Sequence, residues 1–361
     1  MIRVKKKTFR RCCKIGIPVD FRFDFLRKQV CFRGKSSERV SLEEFCNIFF
    51  FLHRYKQRCF MAGNVMDRVR KIVHADEVHR RGITGRGVTA AVMDSGVCYH
   101  PDYADRVVYF KDFVGGRGYY YDDASHGSHV TGILGGSGLM SSGKYRGIAP
   151  GSDLVHLKVL DQHGAGKLKD TIAAMEWILK NKEKFNIRVV NFSVGMALEE
   201  GQEEGRLLIS WAERLWDAGL VVIVAAGNRG PGEGSITLPG TSRKVITVGF
   251  CDLPGKRGRG QRYFSGRGPT CSCVCKPEIT APGTFITSCS NLKPGGNYYC
   301  VKSGTSMATP VVSGAVCLLL SQKPWLTNLE VKMRLQKAGD DLGFPKSQQG
   351  WGRINLLKLL D

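Results

Sequence analysis

The N-terminal region lacks the apolar core that a secretory signal needs. Met1–Arg11 is basic, but Cys12–Phe25 is broken by Lys14, Asp20, Arg22 and Asp24. Asn47–Leu52 (NIFFFL) is also far shorter than the roughly 20 apolar residues of a membrane span. Repeats of 20–50 residues and heptad arrays are missing, which excludes solenoids, propellers and coiled coils. The histidines form no HExxH pair, so the zincin metalloproteases are excluded as well. Acidic residues are scarce: 32 Asp and Glu stand against 54 Lys and Arg, a net charge of +22. The thirteen cysteines are an odd number, so they cannot all pair within one chain. A cysteine-rich chain without an export signal is expected in a reducing compartment, the cytoplasm, with its thiols free.

The positive charge is uneven. Met1–Lys71 holds nineteen Lys and Arg against six Asp and Glu. Such an arm suits an acidic surface, although a solvated basic segment that aids solubility has the same composition. No nucleic-acid reader motif accompanies it, so any nucleic-acid binding would be salt-sensitive and non-specific. Apolar residues make up 42% of the chain and charged residues 24%, an ordinary globular composition.

The text changes near residue 72, where glycine becomes frequent. Gly87–Met93, Leu154–Leu160, Val189–Val194, Leu220–Ala226 and Val245–Phe250 are short, apolar and flanked by turn residues. They read as strands buried on both faces of a parallel sheet. Lys169–Lys182 and Glu203–Ala218 carry apolar residues at helical spacing. Strands alternating with helices predict a doubly wound α/β fold with its site at the carboxyl ends of the strands.

Three segments carry chemistry. Asp94 ends an apolar strand in Met93-Asp94-Ser95-Gly96, His126 opens the Gly-rich segment HGSHVTG, and Ser306 precedes the apolar helix Val311–Leu320 in GTSMATP. A serine hydroxyl is a weak nucleophile until a base takes its proton, and a neutral imidazole suits that task. A buried carboxylate then fixes the imidazole tautomer. Singly, each segment has a structural reading as a turn, a satisfied polar residue or a helix start. Together, in the chain order Asp, His, Ser, they match one arrangement of the triad. Asn228, in Ala225-Ala226-Gly227-Asn228, adds a side-chain amide able to donate to an oxyanion.

These four segments resemble the signature blocks of the subtilase family, and the similarity runs from about His74 to the end of the chain. The resemblance implies a serine endopeptidase acting on protein or peptide substrates through an acyl-enzyme. Its alternative is a catalytically silent relative that binds peptides. By carry-over, substrate backbone would lie along Gly164-Ala165-Gly166 and Ser193-Val194-Gly195, with Ala225, Ala226 and Gly227 walling the primary pocket and Thr237 at its floor. No cofactor is expected. The family's Ca²⁺ loop is replaced by Gly135–Lys144, which has no carboxylate, so Ca²⁺ is not expected beside Asp102. Cys271, Cys273 and Cys275 read as free thiols on an extended segment. Residues 73–361 form the expected catalytic domain. Residues 1–72 read as a degenerate pro-segment with a helix over Phe45–Phe60 and a processing point near Phe60–Val65.

Overall fold

The computed structural model describes residues 64–195, 202–251, 264–291 and 297–361, together with the backbone strands β1 (Phe21–Asp24), β2 (Gln29–Phe32) and β3 (Val40–Ser41). The chain divides into two units, Met1–Ala62 and Gly63–Asp361. In the first unit β1, β2 and β3 form an antiparallel sheet. Phe45–Phe60 and residues 60–63 of the expected processing segment lie outside the described residues.

The second unit is built on a nine-stranded sheet. Its strands are β5 (Thr89–Asp94), β6 (Val107–Asp112), β7 (Asp153–Lys158), β8 (Ile187–Phe192), β9 (Val221–Ala225), β10 (Ile246–Cys251), β11 (Ile279–Pro282), β14 (Gly339–Asp340) and β15 (Arg353–Ile354). Their spatial order is β14-β15-β11-β10-β9-β8-β5-β7-β6, and every pairing except β14–β15 is parallel. Parallel neighbours need crossovers, and helices from both sides bury the apolar runs of β5, β9 and β10 completely. The five strands and two helices expected from the sequence lie within two residues of their expected ends.

Strand order reverses at β5, which pairs with β7 on one side and β8 on the other. In doubly wound sheets such a switch point is where sites form, at the carboxyl ends of the strands, and Asp94 ends β5 there. The helix α1 (His126–Gly135) begins beside this strand end. A Cβ at Gly127 would overlap the Gly96 carbonyl, so only glycine allows helix and strand end to approach this closely. The helix α2 (Thr305–Gln322) crosses β8, β9, β10 and β11 and packs on α1. By length and composition it could cross a membrane, yet 83% of it is buried inside the unit, which makes it a core helix.

A small second sheet joins β4 (Asn64–Val65), β12 (Ile286–Cys289) and β13 (Tyr299–Lys302). The boundary drawn from sequence after residue 72 thus falls inside the second unit. Asn64 and Val65 pair with Ile286 and Thr287, while Met66 and Val69 are fully buried in its core.

Candidate active site

Asp94 is wholly buried, and one of its carboxylate oxygens, Oδ1, accepts from His126 Nδ1 at 2.6 Å and from the Ser95 amide at 2.7 Å. The proton on Nδ1 faces the carboxylate, so His126 Nε2 keeps its lone pair for a reacting group. Burial alone would raise the Asp94 carboxyl, but the charge and hydrogen bond of His126 outweigh it and hold Asp94 below its ordinary value. Burial alone would likewise depress His126. The charge and hydrogen bond of Asp94 overcome that and set the imidazole above 6.5, against a downward pull from Lys302.

A second carboxylate fixes the start of α1. Asp122 Oδ1 accepts from Ser95 Oγ (2.8 Å), Ala124 N (3.2 Å) and Ser125 N (2.8 Å), and Oδ2 accepts from Ser128 N (2.8 Å) and Ser128 Oγ (2.7 Å). Ser95 Oγ in turn accepts from Gly127 N at 2.9 Å. The residue after Asp94 and the residue after His126 are therefore joined by one hydroxyl, which locks strand end and helix start together. The sequence reading missed Asp122 and Ser95. The available signal was an acidic residue just ahead of an expected helix start.

Beneath this pair lie two further buried groups of β7. His156 Nε2 donates to the Gly96 carbonyl at 2.7 Å, and burial lowers its imidazole to about 4, so the ring is neutral. Lys158 is buried and donates to Ser95 O (2.5 Å), Leu160 O (2.7 Å) and the Asp123 carboxylate (2.7 Å). His129 is fully buried, with Nε2 3.1 Å from Ile286 O and 3.2 Å from Cys300 O.

Ser306 occupies the second position of α2, where backbone amides have no intrahelical acceptor and the positive end of the helix dipole points outward. Asn228 follows β9 and reaches the same helix start. Its Oδ1 accepts from Thr305 N at 3.0 Å and Thr305 Oγ1 at 3.2 Å, and a Cβ on Gly304 would lie 3.1 Å from its Nδ2. Thr305 Oγ1 also accepts from Gly227 N at 3.2 Å, tying the β9 turn to the serine-bearing helix.

The expected substrate-contacting segments emerge beside β5. Gly164, Ala165 and Gly166 follow β7, where Leu160 bridges Gly166 and Asp161 N donates to Ala165 O at 2.9 Å. Ser193, Val194 and Gly195 follow β8, Ala225 ends β9, and Ala226 and Gly227 follow it. Thr237 is wedged between two of these turns, because a Cβ on either Gly195 or Gly227 would collide with its side chain. Its buried hydroxyl oxygen has no protein partner.

Asp102 lies where the family's Ca²⁺ ligand would be expected. Its Oδ1 accepts from Met140 N at 3.0 Å, and its Oδ2 accepts from Tyr299 OH at 2.8 Å and the Cys289 thiol at 3.7 Å. Among the described residues His100, Asp102 and Cys289 have ligand-type atoms within 4.8 Å of one another. The His100 ring is occupied too, with Nδ1 accepting from Asp102 N at 3.1 Å and Nε2 donating to Tyr298 O at 3.0 Å. Ca²⁺ takes six to eight oxygens, and imidazole, thiol and a carboxylate already saturated with donors do not fit it.

An Asp–His pair sits at the carboxyl end of β5, Asn228 is tethered to the start of α2, and Ser306 lies in the first turn of that helix, which packs on α1. The sequence profile of the subtilase family matches residues 85–352, and the chain belongs to that family. It is 40% identical over 295 residues to serine protease AprX of Bacillus subtilis (strain 168), covering 76% of this chain and 67% of that protein. It is 34% identical over 294 residues to the subtilisin of Bacillus pumilus, covering 79% of this chain and 94% of that one. Among solved structures, sphericase superposes with a TM-score of 0.64 at 27% identity, over 75% of this chain and 92% of that one. A cold adapted subtilisin-like serine proteinase gives 0.59 at 29% identity, over 76% and 88%. The protein is a serine-type endopeptidase whose substrates are proteins or peptides.

Proposed function

We propose that Ser306 is the nucleophile, His126 the general base and acid, Asp94 the group that orients His126, and Asn228 an oxyanion donor. The observation that carries this reading is the 2.6 Å contact between His126 Nδ1 and the buried Asp94. It leaves Nε2 as the proton acceptor. Ser306 Oγ attacks the scissile carbonyl carbon while its proton passes to His126 Nε2. The carbonyl oxygen becomes an oxyanion, stabilised by the Asn228 amide and the Ser306 backbone N–H. Collapse breaks the C–N bond, and His126 returns the proton to the departing amine. Water, deprotonated by His126, then hydrolyses the acyl-enzyme and restores the serine.

Substrate backbone adds to the segments after β7 and β8, which supplies main-chain hydrogen bonds with little side-chain selectivity. Cys271, Cys273, Cys275, Cys289, Cys300 and Cys317 carry free thiols, which suits a reducing compartment such as the cytoplasm. A fluorophosphonate tests the assignment: it should label Ser306 and no other serine, and Ser306→Ala should fold yet lose nearly all hydrolysis. Labelling elsewhere, or activity in the alanine variant, would overturn it.

A further inference from the structure

Lys302 ends β13, four residues before Ser306. Its backbone is fixed on both sides. It pairs with Ile286 of β12, and His129, one turn beyond His126 in α1, has Nε2 3.1 Å from Ile286 O and 3.2 Å from Cys300 O. After Lys302, Ser303 Oγ accepts from Phe285 N at 2.7 Å and Gly304 N donates to Gly283 O at 2.8 Å, which leads the chain into α2. The first turns of α1 and α2 are thus linked through β13, and Lys302 stands at that link.

Its ammonium acts on the histidines there. Behind burial, the charge of Lys302 is the next influence that lowers the imidazoles of both His126 and His129. Yet this cation lacks a counter-ion. Lys302 is half-buried, and among the described residues no carboxylate pairs with it and no acceptor takes its protons. The two carboxylates that act on His126 are engaged elsewhere. Asp94 accepts from His126 and Ser95 N, and Asp122 accepts from Ser95, Ser128 and the amides of Ala124 and Ser125. By contrast Lys158, Lys276 and Lys332 each reach a carboxylate. A cation left partly out of water without a partner is costly, and its place beside the reacting groups suggests that the partner comes with the substrate.

The chemistry gives Lys302 a side of the scissile bond. Asn228 reaches the start of α2 from β9, after Ala225, Ala226 and Gly227, which wall the acyl-side pocket in the reading above. Lys302 reaches the same helix start from β13, the strand that packs on α1. His126 returns its proton to the departing amine, so the leaving chain passes His126 Nε2, on the side served by α1 and β13. We propose that Lys302 is a specificity-determining residue that selects an acidic side chain on the first or second residue after the scissile bond. A glutamate or aspartate there completes the missing ion pair, whereas a lysine or arginine meets like charge and is rejected.

The test uses internally quenched peptides of one sequence, with glutamate, glutamine or lysine at the first or at the second position after the scissile bond. Mass spectrometry of the products confirms each cut site. In one of the two series wild type should show a kcat/KM about three- to tenfold higher for the glutamate peptide than for the lysine peptide, as expected when one partly exposed charge contact changes from attraction to repulsion. Lys302→Gln should abolish that preference and Lys302→Glu should invert it. Both peptides meet the same enzyme, so any change in His126 basicity cancels in the ratio. The same exchange two residues before the scissile bond should give a ratio indifferent to Lys302→Glu. Three outcomes would overturn the proposal: a wild type indifferent to the exchange in both series, a glutamate preference that survives Lys302→Glu, or an equal response on the acyl side. The proposal rests on the catalytic reading above, whose own failure looks different: the glutamine peptide would stay uncut, or would be cut by the Ser306→Ala protein.

Discussion

His126 and Asp94 share a 2.6 Å hydrogen bond in which the carboxylate is fully buried and the imidazole about a quarter exposed. Each holds the other in its charged form, so the pH at which His126 becomes a base is set largely by Asp94. The base form is neutral, and His126 is raised above 6.5. Hence kcat/KM should climb with pH along an acid limb whose midpoint lies above 6.5. Asp94→Asn removes the largest raising influence and the tautomer control, so that midpoint should move down and kcat should fall about 10⁴-fold. Lys302→Gln removes a lowering influence and should move it up. A limb indifferent to both changes would take His126 out of the base role.

Asn228 donates nothing to Thr305; it accepts from it, and that tether holds the side chain at the start of α2. Asn228→Leu should lower kcat about 10²–10³-fold with little change in KM, a range known from subtilisin rather than from this chain. Thr305→Val deletes the hydroxyl half of the tether and keeps the Asn228 donor. It should give a smaller kcat loss, also at constant KM. Steady-state kinetics on a chromogenic peptide decides both, and a change confined to KM would remove Asn228 from the oxyanion site.

Thr237 fills the gap between Gly195 and Gly227 and leaves its hydroxyl oxygen unpartnered. If Ala225, Ala226 and Gly227 wall the primary pocket, a floor at Thr237 should favour small residues on the acyl side of the scissile bond. Thr237→Gly opens it, so kcat/KM for phenylalanine there, relative to alanine, should rise about 10–200-fold. An unchanged ratio would show that the floor lies elsewhere.

Two neutral buried imidazoles bear on acid stability. Burial lowers His129 to about 3 and His156 to about 4, and His156 lies beside the charges of Asp94 and Lys158. Their folded values lie below the ordinary 6.5, so between that pH and about 4 the unfolded chain binds protons that the folded chain refuses. Stability should fall as pH drops through this window. His126, raised above 6.5, adds stability as pH falls toward that value and changes little below it, so its contribution lies outside this window. His156→Gln keeps a donor for the Gly96 carbonyl and does not titrate, so its urea midpoint, in the Ser306→Ala background, should fall less between about pH 7 and about pH 5. Parallel pH curves for both proteins would refute the argument.

The sheet was legible where strands are buried on both faces, because uninterrupted apolar runs such as Val221–Ala225 have no other use in a soluble domain. Val107–Asp112 escaped notice because it is an edge strand whose four middle residues are partly or fully exposed. Asp94, His126, Ser306 and Asn228 stood out as short motifs, and the structure joins Asp94 to His126 and Asn228 to the start of the Ser306 helix. The roles of Ser95, Asp122 and Thr305 were not, because their partners are backbone amides that converge only once strand end and helix starts meet. The segment Cys271–Cys275, read as extended, instead turns at Thr270–Cys273, where Cys273 N donates to Thr270 O at 2.9 Å. Cys273 adopts a left-handed φ that a non-glycine residue rarely takes, and no glycine or asparagine marks the turn.

The N-terminal arm poses a question of position that the second sheet narrows. β4 pairs in parallel with β12, and Met66 and Val69 are fully buried, while Arg70 is nearly so and bonds Asp76 at 2.7 Å. Residues from Asn64 onward are therefore part of the catalytic unit, and a processing cut within Phe60–Val65 should fall before Asn64, where no sheet pairing has to be broken. If the enzyme makes this cut itself, mass spectrometry should find wild-type protein shortened there and the Ser306→Ala protein intact. Deleting residues 1–62 should leave the melting temperature of the catalytic unit unchanged and raise activity if the arm occludes the cleft as a pro-segment does. Deleting residues 1–72 removes Met66 and Val69 from the core as well. Losing two such side chains costs on the order of 2–5 kcal/mol each, so that protein should melt well below the shorter deletion or fail to fold. An uncut wild-type chain whose 1–62 deletion matches full length in activity would leave the arm as a basic tether for an acidic surface.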